Sequence, residues 1–344
     1  MRTLLPALLL LLPGLADARE LLFLGNSYTA GNDLAAVVES MLESRGEEVR
    51  VERNTPGGYR LPQHLADVDG ANPTVAGWMT PGAEDWDFVV LQDQSQVPGI
   101  PQTDPFWIDS RDAAAVLHQR VEAVDAGTLL FLTWGRREGD STNAAIFPDF
   151  STMQDRLTEG YRAYATAATA PEGAPPIWIV PVGEAFRHVH DGIVAGGGDP
   201  LAAGSLFWDL YTGDGSHPSQ LGTALAGWVF YAFLTGEDPA GVPDPFGALP
   251  ADRVAQLQEA ARATVFDRDD FPRPPGDVGD DDDTGDDDTG DDDDTGDDDD
   301  TDDDDTEDGG CSQGAGSTPV TGWALAALGV LMTQGRRRRT DTAP

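Results

Sequence analysis

Short apolar runs alternate with amphipathic stretches between residues 20 and 271. Four runs are rich in Val, Ile, Leu and Phe, namely Leu21–Leu24, Phe88–Leu91, Leu129–Thr133 and Ile177–Val182. Runs of this length suit strands that are buried on both faces of a parallel sheet. A fifth segment, Glu48–Arg53, alternates between apolar and polar positions, which indicates a strand at the edge of the sheet.

Segments with helical spacing lie between and after these strands. The predicted helices are Asp33–Arg45, Asp112–Asp125, Met153–Ala168, Leu221–Leu234 and Ala251–Val265. Those between the strands are long enough to cross from one parallel strand to the next. The pattern therefore predicts one α/β domain with a mostly parallel sheet, whose ligand site lies at the carboxyl ends of the strands.

Composition narrows the possible chemistry. The chain has no Lys, which excludes a Schiff-base lysine, a P-loop lysine and a Ser-Lys hydrolase. Its only cysteine, Cys311, lies beyond the predicted domain, so the domain has no disulfide, no cysteine metal site and no thiol nucleophile. The candidates that remain are Ser, His, Asp, Glu, amides and aromatic residues, and we predict neither a cofactor nor a metal.

The charge is strongly negative and unevenly distributed. The formal net charge is -40, from 61 acidic residues and 21 basic residues, all of them Arg. Residues 277–308 hold 22 of the acidic residues and no basic one, and the rest of the chain is moderately acidic. Such a surface disfavours nucleic acid, which is bound by clustered Lys and Arg. It also predicts that neutral or cationic substrates are tolerated better than strongly anionic ones.

The first 18 residues have the pattern of a secretory signal peptide. Arg2 precedes an apolar core at Leu4–Leu12, and an Ala-x-Ala cleavage site follows at Ala16–Ala18. We therefore expect the mature chain to begin near Arg19, outside the cytoplasm. A buried N-terminal helix is the alternative.

Two segments follow the domain, which we predict to span residues 19–273. Residues 274–310 form an acidic linker, and from Asp280 to Asp308 it has no apolar side chain to bury, which predicts disorder. Residues 311–344 contain Cys311, a thin apolar stretch at Val320–Met332 and the cluster Arg336–Arg339. Thirteen helical residues rise only about 20 Å, less than the roughly 30 Å hydrocarbon core, so they are too short to span a bilayer alone.

The order of acidic linker, Gly-Gly-Cys-Ser, short apolar stretch and terminal Arg cluster resembles the C-terminal sorting tags of myxobacterial and related surface proteins. The resemblance implies processing near Cys311 by a sorting protease and association with a membrane at the cell surface. The alternative is a disordered tail with one free thiol.

Polar motifs follow the predicted strands. Ser27 stands in a Gly-Asn-Ser-Tyr-Thr turn after the first strand, where its hydroxyl can face the crevice or cap the next helix. The pair Gly57-Gly58 can let backbone N–H groups approach a ligand closely. The third apolar run is followed by the amide cluster Gln92-Asp93-Gln94-Ser95-Gln96.

An acid–histidine pair, Asp214 and His217, precedes the penultimate helix. An Asp three residues before a His can accept the Nδ1 proton and leave Nε2 as an outward-facing base. A second grouping of His188, His190 and Asp191 lies inside a predicted helix, where we expect it to be solvated surface.

Together these loops resemble the GDSL-like, or SGNH, hydrolase superfamily over about residues 21–239. The matching pieces are Leu-Phe-Leu-Gly-Asn-Ser27-Tyr-Thr, Gly57-Gly58 with Leu61 and His64, Val-Val-Leu-Gln-Asp-Gln-Ser, and Asp214-Gly-Ser-His217-Pro. The resemblance implies a single flavodoxin-like domain of three layers. It further implies that Ser27 is the nucleophile, that His217 is the base, and that Asp214 orients His217.

The resemblance also implies an oxyanion hole. Its donors would be the backbone N–H groups of Ser27 and Gly58 and a side-chain amide from the third block. That block usually reads Gly-x-Asn-Asp, and this sequence departs from it. Judged by distance past the strand, Gln94 is expected to be the donor, and Gln92 is the alternative because it directly precedes an Asp.

The predicted function is a secreted, surface-anchored serine esterase acting on short acyl esters, in particular acetyl esters, with a carbohydrate as the expected alcohol. Tyr28, Tyr59 and Trp134 could stack on sugar rings, although they could equally belong to the core. The alternatives are a non-catalytic binding protein on the same fold and an acidic, cation-buffering surface protein.

Overall fold

The computed structural model describes residues 18–275. The predictions for the signal peptide, for nearly all of the acidic linker and for the sorting tag lie outside this range. No helix in the part of the chain described here is both long and apolar enough to cross a membrane.

Five strands form one sheet in which every neighbouring pair is parallel. The strands are β1 (Arg19–Leu24), β2 (Val49–Asn54), β3 (Phe88–Leu91), β4 (Gly127–Phe131) and β5 (Ile177–Val180). Their spatial order is β2-β1-β3-β4-β5. The predicted edge strand is therefore confirmed as β2, and the order is the flavodoxin-like one.

Helices connect the strands and cover both faces of the sheet. They are α1 (Ser27–Ala30), α2 (Leu34–Glu43), α3 (Leu61–Ala66), α4 (Pro73–Trp78), α5 (Pro105–Glu122), α6 (Phe150–Ala168), α7 (Val182–Ala195), α8 (Leu206–Asp209), α9 (Gln220–Thr235) and α10 (Ala251–Phe266). A π-helical turn, Asp67–Ala71, lies between α3 and α4.

Alternate side chains of the strands point into two separate cores. Phe23 of β1 packs with the helices α2, α7, α9 and α10, whereas Leu22 of the same strand packs with α3, α5 and α6. Side chains of a strand point alternately to the two faces of the sheet, and each helix buries one of its sides against a face. The result is a three-layer α/β/α sandwich. The fold class predicted from the sequence is confirmed.

The strand order determines where a ligand can bind. The chain passes from β1 to β2 on one side and then returns to β3 on the other, so a crevice opens between the carboxyl ends of β1 and β3. Ser27 follows β1 and the Gln92–Gln96 cluster follows β3, which brings both motifs to this crevice.

Candidate active site

Ser27 lies at the first residue of α1, directly after the turn that ends β1. The turn is tight: a Cβ at Gly25 would lie 2.5 Å from Thr29 Oγ1 and 2.8 Å from Gln92 Oε1, so only glycine fits. Asn26 caps α1 by accepting a hydrogen bond from the Tyr28 N–H. Because Ser27 begins the helix, its own backbone N–H has no acceptor one turn earlier in the helix.

The structure brings Ser27, His217 and Asp214 together in one hydrogen-bonded chain. His217 Nε2 lies 2.9 Å from Ser27 Oγ, across 190 residues of sequence. His217 Nδ1 lies 2.6 Å from Asp214 Oδ2. Asp214 therefore holds the imidazole with its proton on Nδ1, and the lone pair on Nε2 faces the serine hydroxyl.

Asp214 is kept ionised by its hydrogen bonds. Partial burial raises its pKa, but the bond from His217, the N–H groups of Ser216 and His217, and the hydroxyl of Thr212 outweigh this effect. The net result is a pKa well below the ordinary value for Asp. An ionised carboxylate at this position would stabilise an imidazolium if His217 took up a proton.

The loop that carries His217 is attached to the elements around Ser27. Tyr28 OH lies 2.7 Å from Ser216 Oγ, and the indole N–H of Trp134 donates to the Ser216 carbonyl at 3.0 Å. Tyr28 and Trp134 stack with ring centroids 4.6 Å apart, and Trp134 stacks in turn on Phe186 at 4.5 Å. These contacts join the turn that carries Ser27 to the loop that carries His217.

The same packing decides between the two interpretations of these aromatic residues, stacking on a sugar ring or packing in the core. Tyr28 and Trp134 are buried, so they belong to the core and cannot stack on a sugar ring. Tyr59 is partly buried and packs edge-on against His64. Aromatic side chains at the strand ends therefore give little support for a carbohydrate as the alcohol part of the substrate.

The two glutamines that competed for the oxyanion position have different surroundings. Gln92 is fully buried, and its Oε1 accepts from the N–H of Asn26 and the hydroxyl of Thr29, both at 2.9 Å. Its Nε2 donates to Asn26 Oδ1 at 2.9 Å and to the Asp93 carbonyl. Both ends of the Gln92 amide are thus occupied, by Asn26 and Thr29 on either side of Ser27 and by the Asp93 carbonyl.

Gln94 is partly exposed and lines the same cleft as Ser27, Gly58 and His217. Its Nε2 makes one long hydrogen bond, 3.3 Å to Gln96 Oε1, and can turn toward a ligand. Gly58 has a φ of +73°, which glycine adopts without strain, and no described residue accepts its N–H. Of the two glutamines, only Gln94 faces the cleft with a donor to spare.

Two polar residues near the cleft, Asn26 and Asn32, were given no role from the sequence. Asn26 donates to the carbonyls of Tyr59 and Asp93, so it joins the loops after β1, β2 and β3. Asn32, at a φ of +51°, donates to the Pro218 carbonyl at 3.1 Å and to Thr223 Oγ1. Asn26 stands inside the Gly-Asn-Ser motif, so the sequence could have indicated a role for it. The contacts of Asn32 could not be predicted in this way, because its partners are about 190 residues away.

The second histidine grouping is separate from this cleft. His188, His190 and Asp191 lie on α7, where His190 packs between Phe150 and Phe207 and pairs with Asp191 at 2.7 Å. Within residues 18–275, no group of three His, Cys, Asp or Glu side chains converges as metal ligands would.

The sequence matches no family model and no curated protein, but solved structures match it. A protein from Slackia heliotrinireducens, described as a candidate SGNH hydrolase, is 28% identical; the match covers 62% of this chain and 97% of that one, with a TM-score of 0.46. A DUF4886 family protein from Bacteroides uniformis is 16% identical over 73% of this chain and 96% of that one, with a TM-score of 0.56. An acetyl-xylooligosaccharide esterase from Geobacillus is 17% identical over 63% and 92%, with a TM-score of 0.40.

The match to the Bacteroides uniformis protein shows that this chain shares the fold of that protein. The other two matched structures are described as a candidate SGNH hydrolase, which is the superfamily that the sequence motifs resemble, and as an esterase.

Proposed function

We propose that this protein is a serine esterase that hydrolyses short acyl esters. The observation that carries the proposal is the hydrogen-bonded chain from Asp214 through His217 to Ser27. It ends in a cleft of about 110 Å³ at the carboxyl edge of the sheet. A neutral serine needs such an adjacent base to become a nucleophile.

In the acylation step Ser27 Oγ attacks the carbonyl carbon of the ester while its proton passes to His217 Nε2. The bond between the carbonyl carbon and the leaving oxygen then breaks, and the alcohol leaves with the proton from His217. Water attacks the acyl-serine in the second step, giving its proton to the same nitrogen. The carboxylic acid departs, and Ser27 recovers its hydrogen.

Negative charge develops on the carbonyl oxygen in both steps. The backbone N–H groups of Ser27 and Gly58 and the side-chain amide of Gln94 are the donors proposed to receive it. Their common position on one cleft supports this assignment. The small volume of the cleft favours an acetyl or similarly short acyl group.

The alcohol part of the substrate and the location of the protein are two further proposals. The first is that the alcohol is a carbohydrate, for which Tyr59 is the one strand-end aromatic that is not in the core. The second is that the protein is secreted and held at the cell surface. This rests on the signal-peptide pattern of residues 1–18 and the tag pattern of residues 311–344.

The non-catalytic binding protein is the alternative. A binding site does not need a base at 2.9 Å from a serine hydroxyl together with an ionised acid behind that base. The geometry therefore favours turnover over binding alone.

The test is hydrolysis of 4-nitrophenyl acetate and labelling by a fluorophosphonate, using the wild type, Ser27→Ala and the control Ser40→Ala. Ser40 lies on α2, and its hydroxyl bonds only to the Val37 carbonyl. We expect Ser27→Ala to abolish labelling and lower kcat by at least about 10⁴-fold, with Ser40→Ala unchanged. Equal activity of Ser27→Ala and wild type would refute the nucleophile assignment.

A further inference from the structure

Of the residues described as lining the cleft beside Ser27, Arg136 is the one that carries a permanent charge, and that charge is positive. Arg136 follows β4 in the loop Trp134-Gly-Arg-Arg, for which the catalytic chain gives no role. Because the rest of the domain is acidic, an arginine at this position has to be explained.

Arg136 is held from behind by a buried acid. Its Nη1 lies 2.9 Å from Asp140 Oδ1, and the Asp140 side chain is only 1% exposed, against 26% for Arg136. Asp140 also accepts from Asn143 Nδ2 at 2.7 Å, from the Thr142 N–H at 3.1 Å and from Gln96 Nε2. The carboxylate is thus shared among four donors, and it fixes the guanidinium at the cleft wall.

The guanidinium retains free donors. It has five N–H bonds, of which one donates to Asp140 and another interacts with the hydroxyl of Tyr28, so that not all of them are used within the described residues. Its Nε is buried and has no acceptor in the same range. Its charge also reaches the neighbouring tyrosine: burial raises the pKa of Tyr28, and the bond to Ser216 and the charge of Arg136 oppose that rise.

We propose that Arg136 is a specificity residue that binds a carboxylate on the ester substrate, so that the preferred substrates are esters carrying a negative charge close to the scissile bond. This rests on the proposed esterase function and deepens it. A planar guanidinium with free N–H donors is the side chain best suited to bind a carboxylate. The preference is opposite to the one that the acidic composition of the domain predicts.

A carboxylate can reach Arg136 from either half of the ester. The experiment therefore uses two matched pairs. For the acyl half, 4-nitrophenyl acetate is compared with mono-4-nitrophenyl succinate; for the alcohol half, phenyl acetate is compared with 4-acetoxybenzoate. The full chain is assayed as wild type, Arg136→Gln, Arg136→Lys and the control Arg120→Gln. Arg120 lies on α5 and makes an exposed pair with Asp69.

We expect Arg136→Gln to lower kcat/KM for the charged member of one pair by about 10- to 100-fold, as expected for the loss of one charge-assisted hydrogen bond. The neutral member should change by less than about 3-fold. Arg136→Lys should be intermediate because it keeps the charge but not the planar fork. The pair that responds identifies the half of the ester that carries the carboxylate.

Equal losses on the charged and neutral members of both pairs would overturn the proposal, because they would mean that Arg136 acts only through Asp140. A wild type with no turnover of any ester would refute the esterase function instead. Binding of succinate and of 4-hydroxybenzoate, measured by calorimetry with wild type and Arg136→Gln, then decides about Arg136 independently. If either carboxylate binds to the wild type and not to Arg136→Gln, the proposal is supported. If both proteins bind these carboxylates equally, the proposal is refuted.

Discussion

Gln92 and Gln94 carry the same amide two residues apart, and their neighbours give them different functions. Gln92 makes four buried hydrogen bonds, two with Asn26, one with Thr29 and one with the Asp93 carbonyl. Gln94 lines the cleft. The difference comes from the end of β3, after which the side chain of Gln92 points inward beneath the nucleophile and that of Gln94 reaches the surface.

We expect Gln94→Ala to lower kcat on 4-nitrophenyl acetate by about 10²–10³-fold, equivalent to about 2.7–4 kcal/mol of transition-state stabilisation, with little change in the free energy of unfolding. Gln92→Ala should lower the free energy of unfolding by at least about 1–3 kcal/mol, because it leaves the buried Asn26 N–H without an acceptor. Urea unfolding and steady-state kinetics on both variants measure the two effects. A loss of kcat confined to Gln92→Ala would contradict our choice of donor.

At the scale of the elements, the sequence predicts best what depends on local pattern. β1 and β3 lie within a few residues of the predicted runs because buried parallel strands are short and continuously apolar. The run Ile177–Val182 was predicted to be a strand throughout, but the chain turns at Pro181 and α7 begins at Val182. Likewise α5 begins at Pro105 with Asp104 as its cap, well before the predicted Asp112, because its first turns lack a clear apolar stripe.

In the candidate site, too, the sequence predicts the residues that belong to a local motif and does not predict those that depend on distant contacts. The positions of Ser27, Asp214 and His217 were predictable because each stands in a compact motif at a strand or helix end. The place of Arg136 in the cleft and the contacts of Asn32 were not, since both depend on which loops the fold brings together. Local sequence contains no information about partners that lie nearly 200 residues apart.

A pair of buried titratable groups joins the loops beneath the cleft. His64 on α3 donates from Nε2 to the Gly25 carbonyl at 2.9 Å, and burial lowers its pKa to about 4. Asp93 after β3 accepts from the N–H groups of Leu61 and Gln94, and burial raises its pKa to about 6 despite those bonds. Both shifts have the same cause, but their effects on stability have opposite signs.

The stabilisation from neutral His64 is complete above pH 6.5, its ordinary pKa, and is lost as the pH falls through 4. The contribution of Asp93 is complete below pH 3.8 and is lost as the pH rises through 6. Each amounts to about 3 kcal/mol at 1.36 kcal/mol per pKa unit. Between pH 4 and 6 the two changes therefore largely offset each other.

We expect Asp93→Asn to be more sensitive to acid than the wild type, because it removes the contribution that grows as the pH falls. His64→Gln, which keeps a donor near Gly25, should be less sensitive. The measurement is urea unfolding at pH 4.5, 5.5, 6.5 and 7.5. Parallel stability curves for the wild type and both variants would show that neither group has a shifted pKa.

At the scale of the whole molecule, the densest run of acidic residues and the candidate site lie in different parts of the chain. Both hydrophobic cores, the cleft and the Asp214–His217–Ser27 chain lie within residues 18–275. More than a third of the acidic residues lie in 277–308. The contacts that build the domain include its last residues, since Arg273 stacks on Phe266 at the end of α10.

A chain that ends at Pro275 should therefore keep kcat/KM on 4-nitrophenyl acetate and the Tm of the full chain within error, because it keeps all the residues described in the two cores and in the cleft. In the native host the same truncation should release the activity into the medium, whereas the full chain should stay with the cells. The activity and Tm of the purified proteins test the first expectation. The activity found in the cell and medium fractions tests the second. If truncation lowers Tm, the tail contributes to the domain; if the truncated protein stays on the cells, residues 276–344 are not the anchor.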